Sequence, residues 1–190
     1  MDKNFQRQTH FVGVMIPADI QDRIQEFRSY MNERYGCKSG HGTPSHITLI
    51  PPFVLPSEFE DGDVKNAVEK AIQKAVKSGT LPFNARISGF GAFEERTLFA
   101  HVESDQKWTV LRDSFVQSFQ SNLPGTVRKT SRLFTPHITV ANRDIPSGVM
   151  DEALQYFSGI ELNEEFSVEE ICIFVRSPKG GWEEGECVSF

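Results

Sequence analysis

Two short segments of this chain carry the same pattern, His46-Ile47-Thr48-Leu49 and His137-Ile138-Thr139-Val140. Only five histidines occur in 190 residues. These two share the Ile-Thr that follows, an apolar fourth position and a proline within the two preceding residues, Pro44 and Pro136. Breaking a phosphodiester needs a base to take a proton from the attacking water or hydroxyl and an acid to protonate the departing oxygen. An imidazole, with an unperturbed pKa of about 6.5, fills either role near neutral pH, so a pair can divide the work. The threonine hydroxyls two residues on can donate to nonbridging phosphate oxygens, and a nearby arginine can offset the charge that builds there. Taken singly, His10, His41 and His101 fit the commoner role of a hydrogen-bonded structural residue.

Other chemistries fit less well. Zinc takes three or four His, Cys, Asp or Glu ligands, commonly at short spacing, and neither segment contains a second such residue, so no metal or other cofactor is expected. There is no Gly-x-Ser-x-Gly elbow to present a serine nucleophile, and no Gly-x-Gly-x-x-Gly or P-loop sequence follows a strand.

The elements that must position the two segments can be read from periodicity. Alternation predicts a strand over His10 to Ile16, and Ile20, Ile24, Phe27 and Met31 mark one face of a helix from Asp19 to Tyr35, stopped by Gly36. After a Gly-rich loop, His46 to Ile50 is too short for a helix and reads as a strand closed by Pro51 and Pro52. A helix from Phe59 to Ser78 and a strand over Phe83 to Phe90 complete the first half. The second half repeats the order. Strand Thr97 to Glu103 leads to a helix capped by Ser104 and marked by Trp108, Leu111, Phe115 and Phe119. Then come the strand His137 to Ala141, a short helix carrying Met150, Leu154 and Phe157, and strands near Glu165 to Ser167 and Glu170 to Arg176. Such a repeat implies two equivalent lobes with a site between them. The expected fold is α+β: a single bilobal, pseudo-twofold domain over residues 1–190, with largely antiparallel sheets flanked by helices and an active-site groove between lobes built from about 1–93 and 94–190. In each motif strand the histidine and threonine face one side, toward the groove, and the apolar residues face the core.

Composition sets the bounds. Hydrophobic residues make up 38% of the chain, including 16 Phe, enough for a packed interior, and no stretch approaches the roughly 18 apolar residues of a membrane span. The start lacks the apolar core of a secretory signal, so a cytoplasmic location is expected, with no membrane association and no obligatory protein partner. Cys37, Cys172 and Cys187 form no Cys-x-x-Cys pair and no even set, and are expected to be reduced structural thiols. A formal charge of -6 argues against tight binding to long nucleic acid, which relies on many Lys and Arg contacts to phosphate. Local basic groups do exist: Arg128, Lys129, Arg132 and Arg143 bracket His137, and Arg34, Lys38 and His41 precede His46.

The two segments resemble the paired His-x-Thr-x signatures of the 2H phosphoesterase superfamily, which includes 2'-5' RNA ligases and cyclic nucleotide phosphodiesterases. The resemblance takes in both motif strands, the segment Ile87 to Phe93 ahead of strand Thr97 to Glu103, and Arg143 after the second motif. It implies a bilobal fold with His46 and His137 as the acid–base pair, Thr48 and Thr139 as phosphate ligands, and metal-independent action on cyclic phosphates or 2'-5' linkages of nucleotides and RNA ends. Arg143 and Arg132 are expected to approach the phosphate. The loop from Gly36 to Thr43 would carry Lys38 or His41 toward the substrate, and Phe53 or Phe93 would stack on a base, core packing being the competing account of each aromatic. Given the acidic charge, the expected ligand is a nucleotide or short RNA end. The alternative is a module that binds such ends without turning them over.

Overall fold

A computed structural model, which describes residues 7–40, 42–128 and 133–190, shows four helices on one eight-stranded sheet. The strands are β1 (His10–Met15), β2 (His46–Phe53), β3 (Phe83–Phe93), β4 (Thr97–Val102), β5 (His137–Asn142), β6 (Asn163–Val168), β7 (Glu170–Arg176) and β8 (Trp182–Ser189). The helices are α1 (Ala18–Tyr35), α2 (Asp61–Lys77), α3 (Gln106–Asn122) and α4 (Met150–Ser158). Every registered strand pair is antiparallel, and the order across the sheet is β6-β3-β4-β5-β2-β1-β7-β8. The α+β class with antiparallel pairing is as the sequence implies.

Alternation within the strands decides what each face carries. Ile47 and Leu49 of β2 and Ile138 and Val140 of β5 are buried, at most 1% exposed, in the main core with the apolar faces of the helices. Helix α1 packs on β5 and α3 on β2, each crossing to the strand of the opposite motif. A smaller cluster on the other side of the sheet gathers Phe11, Cys172 and Phe174, with Met15, Trp182 and Cys187 packed against it.

Several expectations change. Strand β2 continues through Pro51 and Pro52 to Phe53 instead of ending before them. The N-cap of α3 is Asp105, whose carboxylate accepts from the Trp108 N–H, and not Ser104. Strand β8 went unread because its sequence, WEEGECVS, is mostly exposed and polar and shows no apolar alternation. That strand also overturns the reduced-thiol expectation. It sets Cys187 directly across from Cys172 on β7, with Cα atoms 4.0 Å apart, and the two form a disulfide. Cys37 stays free and buried. The strand order groups β6, β3 and β4 on the β5 side of the β5–β2 seam and β1, β7 and β8 on the β2 side, while the division at 93/94 falls in the β3–β4 turn.

Candidate active site

Strands β2 and β5 lie side by side at the middle of the sheet, paired at Ile47 and Ile138. In antiparallel pairing, residues one step away on each strand also face each other, so His46 comes alongside Thr139 and Thr48 alongside His137. Both histidines and both threonines are partly exposed on the face opposite the helices. Each motif is one strand, and a strand alternates faces; the apolar residues between them are drawn into the core, which leaves the imidazoles and hydroxyls together on the outer face.

Each imidazole is held the same way. His46 Nδ1 lies 2.7 Å from the carbonyl oxygen of Pro44, and His137 Nδ1 lies 2.8 Å from that of Thr135. A carbonyl only accepts, so Nδ1 carries the proton in both rings and the neutral form offers its lone pair at Nε2. Among the described residues no hydrogen bond engages either Nε2 or the hydroxyls of Thr48 and Thr139. Burial lowers the proton affinity of both rings. It pushes His46 down to about 4, with the charges of Arg28 and His137 adding to the effect against the Pro44 carbonyl. His137 is lowered by burial too, opposed by its bond to the Thr135 carbonyl.

The ring neighbours are aromatic. His46 meets Phe11 at 4.5 Å and Phe174 at 4.9 Å between centroids. Its ring lies over Gly13 of β1: a Cβ there would sit 3.3 Å from His46 Cδ2 and 2.9 Å from the Ile47 carbonyl oxygen. His137 meets Phe93 edge-on at 4.9 Å and Phe99 at 5.2 Å. The ring of Phe99 crosses Gly91 just as closely, 2.8 Å from where a Cβ would be.

Other expected site residues have different placements. Arg143 is exposed on the turn after β5, with its N–H donated to the Arg96 carbonyl at 2.8 Å. Lys38 is exposed, and the loop around it is tied to that same turn: Asp144 accepts from the N–H groups of Lys38 at 2.6 Å and Ser39 at 2.8 Å, and from the Ser39 hydroxyl at 2.6 Å. These bonds outweigh burial and hold the Asp144 carboxyl below its usual range. Phe53 is a correction. At 4% exposure it packs against His10 and Phe119 in the interior, because the continuation of β2 turns it to the core face, and it presents no surface to a base. Phe93, by contrast, is 38% exposed beside His137. His41 and Arg132, with Lys129, lie outside the described residues. His10 is structural, bonded to the Thr9 hydroxyl and to Asp61. His101 stands directly across from His137 on β4, a placement that sequence reasoning missed because only the strand register discloses it.

Among the described residues the grouping of potential metal ligands is Glu170, Cys172 and Cys187, which includes neither motif histidine and whose two sulfurs are bound to each other in the disulfide. No described helix is long and apolar enough to cross a membrane.

A family model described as the 2'-5' RNA ligase superfamily matches residues 16–180, which contain both motifs. No curated protein matches the chain. The fold resembles that of TT0787 from Thermus thermophilus, with a TM-score of 0.62 at 21% identity over 95% of this chain and 97% of that one. It also resembles a structure described as a phosphoesterase, with a TM-score of 0.62 at 16% identity over 97% and 99%. Escherichia coli LigT, solved in complex with 3'-AMP, aligns with a TM-score of 0.57 at 17% identity over 96% and 98%.

Proposed function

The chain belongs to the 2'-5' RNA ligase superfamily, and from that premise we propose that it is a phosphodiesterase that opens cyclic phosphates, or cleaves 2'-5' linkages, of nucleotides and short RNA ends. The observation that carries the proposal is the adjoining pair of His-Ile-Thr strands, each with its imidazole Nδ1 engaged by a backbone carbonyl.

The phosphoryl group lies between the two imidazoles, its nonbridging oxygens accepting from Thr48 and Thr139. His46, whose proton affinity is pushed down to about 4, is neutral at working pH and serves as the base. Its Nε2 takes the proton of a water as the water oxygen attacks phosphorus. His137, the other imidazole, acts in its protonated form as the acid. As the ring P–O bond breaks, Nε2–H of His137 passes its proton to the departing ribose oxygen, leaving a phosphomonoester and a free hydroxyl. A bound phosphate favours the protonated acid by placing negative charge beside it. The exposed ring of Phe93, beside His137, offers a face for a nucleobase, and Arg143, on the turn that follows β5, adds a positive charge. Each chemical role is filled by a side chain of this protein.

The test is incubation with 2',3'-cyclic nucleotides and 2'-5' dinucleotides, reading the position of the product phosphate by phosphorus NMR. A 2'- or 3'-phosphomonoester that appears with wild type and not with His46→Ala or His137→Ala is expected. Stoichiometric retention of unreacted nucleotide would instead identify a binding module.

A further inference from the structure

We propose that Arg28 is a positioning residue for the paired histidines: from helix α1 its guanidinium fastens the segment entering the first motif to the strand that carries the second, and so sets how the two imidazoles face each other. Nη1 donates to the carbonyl oxygen of Thr43 at 2.8 Å, while Nε and Nη2 donate to the carbonyl oxygen of Thr139 at 3.2 and 3.0 Å. Thr139 is the threonine of the second motif. Thr43 adjoins Pro44, whose carbonyl holds the His46 ring. One side chain therefore grips the main chain of one motif and the main chain next to the anchor of the other.

Burying a guanidinium costs several kcal/mol, roughly, unless its donors are satisfied. Arg28 is nevertheless 3% exposed, on a helix face otherwise made of Ile20, Ile24, Phe27 and Met31. An apolar residue would serve that face if packing were the whole requirement. The seam needs more than packing. Strands β2 and β5 are registered at a single pair, Ile47 and Ile138, whereas β1 and β2 are registered at five positions. The rigid planar fork of an arginine supplies fixed donors across such a seam, and a lysine ammonium on a flexible stem does not.

The charge has a second effect. Burial lowers the Arg28 pKa to about 10, so the group remains a cation at neutral pH. His46 is packed by Phe11 of β1 and Phe174 of β7, neither of them titratable, and it feels Arg28 from α1 and His137 from β5.

Ring-proton NMR titration of the whole chain, with inorganic phosphate as the probe, tests the proposal without requiring turnover. In Arg28→Met the titration of His46 is expected to move upward from about 4, and phosphate binding to weaken. Arg28→Lys keeps the charge, so His46 is expected to titrate as in wild type while phosphate binding still weakens. Turnover of a 2',3'-cyclic nucleotide, which rests on the proposed phosphodiesterase activity, is expected to fall by about a hundredfold in Arg28→Met, mainly in kcat. A folded Arg28→Met chain with wild-type histidine titrations and phosphate affinity overturns the proposal. Should that variant fail to fold, wild-type phosphate affinity in Arg28→Lys overturns it instead. Absence of turnover in the wild-type chain would refute the phosphodiesterase activity and leave the positioning role to the titration and binding results.

Discussion

His46 and His137 occupy matching places in the sheet, yet the strand beside each one carries different residues. On β1, Met15 stands across from His46 and Gly13 across from Thr48; on β4, His101 stands across from His137 and Phe99 across from Thr139. Glycine at the first of these positions lets the His46 ring lie down over the neighbouring strand, against Phe11 and Phe174. Phenylalanine at the second fills the same space, so His137 is propped against Phe99 and Phe93, the latter open to solvent. Two copies of one motif thus sit in different surroundings, and on the proposed mechanism that difference is what separates the base from the acid.

The comparison breaks most decisively at the histidines themselves. Replacing either with alanine is expected to lower kcat for a cyclic nucleotide by about a hundredfold or more, measured at saturating substrate. Full turnover in either variant would remove the division of roles. A second test uses stability. The folded-state pKa of His46, about 4, lies below the unfolded value near 6.5, so the unfolded chain takes up the proton first as the solution is acidified. Its stabilising contribution is therefore complete above pH ~6.5 and is lost as pH falls toward about 4, amounting to about 3 kcal/mol by linkage. Urea unfolding across that window should show a smaller pH slope in His46→Gln than in wild type. An unchanged slope would mean that the ring is not desolvated.

Gly13→Ala sharpens the comparison. The added methyl meets the Ile47 carbonyl oxygen at 2.9 Å and His46 Cδ2 at 3.3 Å, so the β1–β2 main chain must shift and the imidazole above it must give by a few tenths of an ångström. We expect kcat to fall about tenfold and the NMR titration of His46 to move upward from about 4. The smallest effect concerns the tie between the motif-flanking loops. Asp144→Ala removes three hydrogen bonds to Lys38 and Ser39. Because the carboxylate is exposed, the expected loss is about 1 kcal/mol in urea unfolding.

Much of this was legible beforehand. The motif strands declared themselves because each is short, bounded by prolines, and alternates one chemistry with another; the helices did so because Ile20, Ile24, Phe27 and Met31 keep a helical period that burial then honours. What stayed hidden depends on strand neighbours, which periodicity does not encode. The disulfide required β8, whose exposed glutamates look like loop. Phe53 looked available for stacking because Pro51 and Pro52 imply an end to the strand that the backbone does not make. Arg28 falls on the apolar face of α1 by spacing, four residues after Ile24 and three before Met31, but periodicity does not name what its donors meet. Only the packing of α1 against β5 discloses the Thr139 carbonyl as its partner.

The strand order has one more consequence. Because β3 is spliced into the set around β5 while β7 and β8 return to the set around β2, a backbone cut between residues 93 and 94 does not release half of the sheet. Each fragment would supply strands to both sides of the seam, like two hooks closed through each other. The nicked molecule should hold together and melt as one body, and neither fragment alone retains the partners its apolar strands need.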